Sequence, residues 1–239
     1  MLNYTLNNGV ATITLDDGKR NALSPAMFKE INKALDQAEK DEALVIFTGR
    51  EEVFSAGFDL KVMKKGGADT IAMLNAGYSL THRVMAYPYP VIAACNGHVL
   101  AMGVFLMLSC DYIIGTSGDY KVSANEVAIG LPLPRTAEEM LRHRLTPAAF
   151  QRASTLAEYF PVDEAQRVGF FDELVTADTL MPRALEKAAE LAALDMDAHR
   201  ITKQRIRSKS INRIKRSIPL DLKDALMLGV KSAIAKRKK

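Results

Sequence analysis

Short apolar runs that alternate with helical patterns constrain the fold of this chain more than any other feature. Leu44–Thr48, Val91–Cys95 and Asp111–Ile114 are strand-like apolar runs, and Thr70–Ala86 and Gly103–Ser109 between them have patterns typical of helices. Strands that alternate with helices usually form a sheet, largely parallel, that is covered by those helices. The sequence therefore predicts an α/β core up to about residue 135, followed by a mainly helical part.

Local turn and cap signals support this division. Tyr4–Leu6 and Val10–Leu15 alternate apolar and polar residues around an Asn-Asn-Gly turn, which is a strong β-hairpin signal. Ser24 followed by Pro25 is typical of a helix N-terminus. Helical patterns in the second part occupy residues 147–156, 163–168 and 179–194 and the residues from Leu220 onward.

The composition is that of an ordinary globular protein. Of 239 residues, 48% are hydrophobic and 25% are charged. The longest apolar stretches, around residues 91–95 and 99–110, are shorter than the roughly 18 residues of a membrane-spanning helix. The N-terminus lacks the pattern of a signal peptide, so we expect a cytoplasmic location. Cys95 and Cys110 form neither a disulfide framework nor a zinc-ligand spacing, and we expect both to be buried.

Positive charge is concentrated near the C-terminus. The formal net charge is +4, and the segments KQRIRSKSINRIKR and KSAIAKRKK carry much of the excess. Such a segment could attract nucleic acid, an acidic membrane surface or a phosphorylated small molecule. It could equally be the solvated face of a helix.

Five segments together resemble the enoyl-CoA hydratase/isomerase (crotonase) superfamily. They are RNALS at 20–24, FSAGFDL at 54–60, NGHVLAMG and LMLSCDY within 96–112, ANEVAIGLPLP at 124–134 and VDEAQRVGFFDELV at 162–175. Each is weak alone, but their order and spacing are specific. The resemblance implies a ClpP-like spiral of ββα units over residues 1–190. It also implies a helical C-terminal region, residues 191–239, that carries trimer contacts.

The same resemblance identifies two backbone donors for a thioester enolate. The negative charge of an enolate needs preorganised hydrogen-bond donors in a dry site. By resemblance these are the N–H groups of Phe58 and Met102. Most relatives carry three glycines where this chain has Ala101, Met102 and Gly103. The amide donor remains, but we expect the added side chains to narrow or reshape the acyl channel.

One of the two glutamates used by family hydratases is missing. Those enzymes hold and activate water with two carboxylates, and the first position falls at Phe105 in this chain. The second falls at Glu126, which follows Asn125 as in the Δ3,Δ2-enoyl-CoA isomerases of the family. A single carboxylate can carry a proton from the α to the γ carbon through one enolate. The resemblance therefore favours an enoyl-CoA isomerase of fatty-acid β-oxidation, with Glu126 as the catalytic base.

The resemblance also implies a binding surface for coenzyme A, whose phosphates attract cationic side chains. The expected substrate-binding residues are Lys19, Arg20, Ala22, Ala56, Asp59, Leu60, His98, Phe105 and Lys203. The sequence has no glycine-rich loop of the P-loop or dinucleotide-binding kind. We therefore expect an acyl-CoA substrate, with no further cofactor and no metal.

Alternatives to isomerisation remain open. The same oxyanion site could serve hydration, thioester hydrolysis or decarboxylation. A third possibility is an RNA-binding homologue, because the basic C-terminal segment could engage nucleic acid. The resemblance implies a homotrimer or a hexamer built as a dimer of trimers, without a membrane or nucleic-acid partner.

Overall fold

The computed structural model describes residues 2–237, which form three β-sheets and nine α-helices. The strands are β1 (Leu2–Asn7), β2 (Val10–Leu15), β3 (Ala22–Leu23), β4 (Leu44–Thr48), β5 (Val53–Ser55), β6 (Gly57–Phe58), β7 (Val91–Cys95), β8 (His98–Leu100), β9 (Tyr112–Thr116), β10 (Lys121–Ser123), β11 (Phe160–Pro161) and β12 (Glu173–Val175). The helices are α1 (Pro25–Lys40), α2 (Leu60–Lys65), α3 (Gly67–Ala86), α4 (Met102–Leu108), α5 (Arg135–Arg144), α6 (Pro147–Thr155), α7 (Val162–Val168), α8 (Leu180–Ala192) and α9 (Met196–Arg237).

The largest sheet has six strands in the order β1-β2-β4-β7-β9-β12. Strand β1 runs antiparallel to β2, and the other neighbours are parallel. Every residue of β4 and β7 is buried, as expected for parallel strands covered on both faces. One face meets the main hydrophobic core, and α8 covers the other with Leu180, Ala184 and Ala188. The predicted α/β class is confirmed.

The second sheet has four strands in the order β11-β10-β8-β5. Strands β5, β8 and β10 are parallel, and β11 pairs antiparallel with β10. A two-stranded parallel pair, β3 with β6, lies beside this sheet because β6 follows β5 after a single residue. Helix α4 follows β8 directly and is buried at all seven positions.

The predicted hairpin and first helix are confirmed. Asn8 and Gly9 both have positive φ, 49° and 75°, as a type I′ turn requires. The Ser24 hydroxyl accepts a hydrogen bond from the N–H of Met27 at 3.2 Å and caps α1. Sequence patterning therefore identified the local structure correctly at the start of the chain.

The C-terminal helix is longer than predicted. The pattern from Leu220 is only the end of α9, which begins at Met196 and continues through Pro219. Helix α9 packs along α3 and α5 of the same chain. The buried Asp221 carboxylate accepts from the N–H groups of Arg135 and Thr136, both at 2.9 Å, and so caps α5 from another element. The division at residue 190 stays a prediction.

None of the helices described within residues 2–237 combines the length and apolarity that crossing a membrane requires.

Candidate active site

Three parallel strands bring the predicted catalytic segments to one edge of the second sheet. Strand β5 leads into Phe58, β8 leads into Met102, and β10 leads into Glu126 within three residues. Since neighbouring parallel strands have their carboxyl ends at the same edge, these segments emerge side by side. Ala101 N donates to Ser123 O at 2.9 Å and joins the last two segments beyond the strands.

The turns that carry Phe58 and Met102 are in close contact. A Cβ atom placed on Gly57 would lie 2.8 Å from Ala101 Cβ and 3.1 Å from Met102 N. A Cβ atom on Gly103 would lie 2.8 Å from the backbone oxygen of Ser55. Only glycine allows this approach at either position, and Gly57 also has a φ of +87°.

Neither of the two predicted donors, the N–H groups of Phe58 and Met102, is used in a hydrogen bond between paired strands. The N–H of Asp59 donates to Leu23 O at 3.3 Å. Because successive N–H groups along a strand point in opposite directions, the N–H of Phe58 points away from β3. Met102 is the first residue of α4, where an N–H has no acceptor within its own helix. These two amides are therefore available to an oxyanion.

Ala101 has an unusual backbone conformation immediately before the second donor. Its φ is 49° and its ψ is −125°, in a region that a residue with a Cβ rarely adopts. Such conformations cost about 1–3 kcal/mol and concentrate at functional sites.

Glu126 is a buried carboxylate that forms no ion pair with any side chain that the structure describes. The residue is only 6% exposed, and its Oε2 atom has no hydrogen-bond partner among the described residues. Burial raises the pKa of Glu126 to about 7, against a smaller lowering effect of a backbone hydrogen bond. A carboxyl group that titrates near neutral pH can both accept and return a proton.

The residue at the first glutamate position lies in the core. Phe105 is 1% exposed on α4 and belongs to the main hydrophobic cluster. Its backbone oxygen accepts a hydrogen bond from the Ser109 hydroxyl at 2.6 Å. Its apolar ring has no donor or acceptor with which to hold a water molecule.

The loop that carries Lys19 and Arg20 is held against the site by hydrogen bonds. The Asp17 carboxylate accepts from the N–H groups of Lys19, Asn21 and Ala22, at 2.8, 2.8 and 2.9 Å. The Arg20 oxygen in turn accepts from Ala56 N at 3.0 Å. Both cationic side chains are exposed, while Ala22 and Ala56 are half-buried. This geometry is compatible with the predicted phosphate contacts.

Asp59 and Leu60 follow the Phe58 turn. Asp59 is the N-cap of α2, and its carboxylate accepts from Lys61 N at 2.7 Å. Leu60 is 59% exposed, which is unusual for a large apolar side chain. Leu60 is available as an apolar wall of a binding groove, whereas Asp59 has a local structural role.

The structure does not bring His98 or Lys203 to this edge. His98 is the first residue of β8, at its amino end, and its Nδ1 accepts from Lys121 N at 3.1 Å. Lys203 forms a buried ion pair with Asp111 at 2.6 Å and also donates to Tyr89 O. Because the Lys203 ammonium is buried and paired with Asp111, it is not available to bind a phosphate group. The structure places neither residue at the sheet edge that carries Phe58, Met102 and Glu126.

Two residues that the sequence analysis did not single out hold the site together. Asn21 is fully buried, and its side-chain amide donates to Val53 O at 3.0 Å and to Phe54 O at 3.2 Å. Asp17 organises the preceding loop. Asn21 lies within the RNALS segment, so its role could have been predicted from that motif. Nothing in the sequence distinguished Asp17 from Asp16.

The family model for enoyl-CoA hydratase/isomerase matches residues 5–228. Among solved structures, an enoyl-CoA hydratase/isomerase family protein from Pseudomonas syringae is 41% identical, with a TM-score of 0.91 over 93% of this chain and 96% of that one. An enoyl-CoA hydratase from Mycobacterium marinum is also 41% identical, with a TM-score of 0.88 over 91% and 96%. The human mitochondrial Δ3,Δ2-enoyl-CoA isomerase is 28% identical, with a TM-score of 0.92 over 98% and 94%.

The motif resemblance, the α/β fold and these matches agree. The family model covers nearly the whole of the chain, including the three strands that form the site. The chain belongs to the enoyl-CoA hydratase/isomerase family, the crotonase enzymes that act on acyl-CoA substrates.

Proposed function

We propose that this chain shifts the double bond of enoyl-CoA thioesters from Δ3 to Δ2 in fatty-acid metabolism, with Glu126 as the only base. In this mechanism the Glu126 carboxylate removes a proton from the α carbon. The resulting dienolate places its negative charge on the thioester oxygen, where the N–H groups of Phe58 and Met102 stabilise it. The protonated Glu126 then returns the proton to the γ carbon, so the reaction neither adds nor releases water.

The observation that carries this proposal is a buried carboxylate on a segment that emerges at the same sheet edge as the two free amides. Within the part of the chain that the structure describes, Glu126 Oε2 has no hydrogen-bond partner, and Phe105 supplies no second carboxylate. Asp221 is also buried, but it already accepts two backbone hydrogen bonds and pairs with Arg135 at 3.2 Å. One base is sufficient for a proton shuttle, whereas hydration also requires a group that orients water.

A side-by-side assay of two substrates tests the proposal. We expect purified protein to convert a 3-enoyl-CoA to the 2-enoyl-CoA much faster than it hydrates a 2-enoyl-CoA of equal chain length. Because the pKa of Glu126 is about 7 and the ionised form is the base, kcat should fall as the pH decreases below 7. Faster hydration than isomerisation would favour the activity named for the Mycobacterium marinum relative.

The exposed loop cations would contact the phosphates of coenzyme A. Lys19 and Arg20 are exposed on a loop bonded to the Phe58 turn. A point charge on lysine and a planar guanidinium both suit phosphate oxygens. The half-buried Ala22 and Ala56, with Leu60, would form the apolar side of the same groove.

We also propose that the chain assembles as a homotrimer or as a dimer of trimers. Large apolar side chains remain exposed beside the site in the single chain, including Ile129 at 53%, Leu156 at 70% and Tyr159 at 45%. Contact with another copy would bury this surface, and closed cyclic symmetry is the usual solution. Light scattering at micromolar concentration should give three or six times the monomer mass, and a monomer alone would contradict the proposal.

A further inference from the structure

Ser55 is a buried serine that lies in contact with both of the turns that carry the proposed donors. It is the last residue of β5, shortly before Phe58, and none of its surface is exposed. Serine is found mostly at protein surfaces. A buried hydroxyl group normally has hydrogen-bond partners within the protein. The partners of Ser55 therefore identify the segments that this residue joins.

The Ser55 hydroxyl connects the Phe58 turn to the RNALS segment. It donates to Asn21 O at 2.8 Å and accepts from Gly57 N at 3.2 Å. The first bond uses the proton of the hydroxyl group and the second uses a lone pair of its oxygen. The hydroxyl is therefore a bridge between Gly57, the residue before the first proposed donor, and the neighbouring segment.

This bridge stands where a direct backbone bond would continue the pairing of β6 with β3. The N–H of Asp59 donates to Leu23 O at 3.3 Å. In a parallel pair the next bond of this kind lies two residues earlier on each strand, between Gly57 N and Asn21 O. The Ser55 hydroxyl lies between these two atoms and holds them apart. Ser55 thus sets the distance of the turn from β3.

The N–H of Phe58 lies between two peptide groups that are both anchored. The N–H before it is held by the Ser55 hydroxyl, and the N–H after it is held by Leu23 O. Because each peptide group is planar, only the dihedral angles between neighbouring groups can vary. Anchoring both neighbours therefore fixes the direction in which the Phe58 N–H points.

The side chain of Ser55 also contacts the segment of the second proposed donor. A Cβ atom placed on Gly103, the residue after Met102, would lie 2.8 Å from Ser55 Cβ and 3.1 Å from Ser55 Oγ. The backbone at the start of α4 therefore packs directly on the Ser55 side chain. In a close-packed interior, such neighbours do not shift independently. Ser55 thus also influences the spacing between the two donor segments.

We propose that Ser55 is a positioning residue that orients the Phe58 N–H and sets its spacing from the Met102 N–H. Its hydroxyl is buried and engaged on both sides, so Ser55 acts through the two donors and not on the substrate. This role rests on the proposed function only in that the two amides bind the thioester oxygen. It is the same whether the enolate leads to isomerisation or to another reaction.

The test is the Ser55→Ala variant, which removes the hydroxyl and keeps the Cβ atom against Gly103. Without the bridge, Gly57 N can bond directly to Asn21 O, which draws the turn toward β3 and moves the Phe58 N–H. The probe is butanoyl-CoA with carbon-13 at the thioester carbonyl, followed by isotope-edited infrared difference spectroscopy. Two hydrogen bonds should lower the carbonyl stretching frequency in the wild type. In Ser55→Ala the lowering should be smaller, and an equal lowering would overturn the proposal.

The infrared frequency separates positioning from a loss of stability. It reports only on butanoyl-CoA that is bound, so a fraction of unfolded protein cannot alter it. Steady-state kinetics adds a second readout. For Ser55→Ala, kcat should fall by about 10–10²-fold, since a misplacement of about 1 Å can cost about 10²-fold. The dissociation constant of butanoyl-CoA should stay close to that of the wild type. A variant that keeps the wild-type kcat and only binds more weakly would contradict the positioning role.

The matched control is Ser154→Ala. Ser154 is also a buried serine, at 8% exposed, and its hydroxyl donates to Phe150 O at 2.6 Å within α6. This helix contributes no residue to the proposed site, so the variant should keep the wild-type carbonyl frequency and kcat. Equal changes in both variants would show a general effect of removing a buried hydroxyl and would overturn the proposal. Should Ser55→Ala fail to fold, Ser55→Cys, whose sulfur is a weak donor and acceptor, is measured instead with the same expected changes.

Failure of the proposed function and failure of the Ser55 role give different results. A wild-type protein that hydrates enoyl thioesters faster than it isomerises them would refute the proposed function, but the infrared comparison would still decide the role of Ser55. A wild-type protein that leaves the carbonyl frequency of bound butanoyl-CoA unchanged would show that the two amides do not bind the thioester oxygen. That result would overturn the role of Ser55.

Discussion

Replacing Glu126 by glutamine should lower kcat for isomerisation by about 10²–10⁴-fold, the usual contribution of a positioned general base. The change removes the group that accepts and returns the proton but keeps the size of the side chain. Binding of acyl-CoA should remain nearly intact, because Glu126 is not among the residues predicted to contact coenzyme A. The measurement is steady-state kinetics with a 3-enoyl-CoA, together with calorimetric titration of a saturated acyl-CoA.

The matched control is Glu139→Gln. Glu139 is also a buried glutamate, at 8% exposed, but it lies on α5 and pairs with Arg213 at 3.2 Å. This variant should lose stability rather than turnover. Wild-type activity in Glu126→Gln would disprove the one-base mechanism. Equal losses in both variants would point to a general effect of removing a buried charge.

The Gly57→Ala variant should lower kcat/KM by about 10²-fold, the cost that a misplacement of about 1 Å in a catalytic group can have. The new Cβ would lie 2.8 Å from Ala101 Cβ and 3.1 Å from Met102 N, so the two turns must separate. Separation changes the spacing of the Phe58 and Met102 amides, although no donor is removed. Kinetics and thermal unfolding should be measured on the same preparation.

Gly9→Ala is the control variant, which separates the effect of steric crowding on activity from the effect of backbone strain. Gly9 has a similar φ of +75°, but a Cβ atom there would meet no other atom within 4 Å. It lies in the hairpin turn between β1 and β2, away from the site. Both variants pay the cost of positive φ, about 1–2 kcal/mol. If Gly57→Ala loses no more activity than Gly9→Ala, the contact between the turns does not control the donors.

The sequence predicted the long and periodic elements well. Leu44–Thr48 and Val91–Cys95 were predicted with the bounds that the structure has, because fully buried parallel strands are continuous apolar runs. The hairpin and the start of α1 followed from turn and cap residues, whose preferences are local. Local chemistry was sufficient for these elements.

The short strands of the second sheet could not be predicted in this way. Strands β5, β8 and β10 have three residues each, too few for any periodicity to appear. Helix α9 was underestimated because Pro219 normally ends or kinks a helix. In this chain packing along α3 and α5 sustains the helix through that position, and such packing is a tertiary effect.

For the candidate site, the motifs identified the groups proposed to react, but not the residues that hold their segments in place. The order of the segments brought Phe58, Met102 and Glu126 into the prediction, and the three parallel strands bring their segments to one edge. The sequence alone could not show which basic side chains form ion pairs within the chain and which are free to bind a phosphate group. Lys203 was therefore included in the predicted binding set, although its ammonium is buried against Asp111.

Helix α9 also has a consequence for the time at which the site forms during synthesis. Asp221 lies about 95 residues after Glu126, yet it caps α5. At a ribosomal rate of about 5–20 residues per second, this residue emerges about 5–20 s after Glu126. During that interval the nascent chain exposes the apolar faces of α3 and α5, so we expect chaperone contact with these two helices until α9 docks.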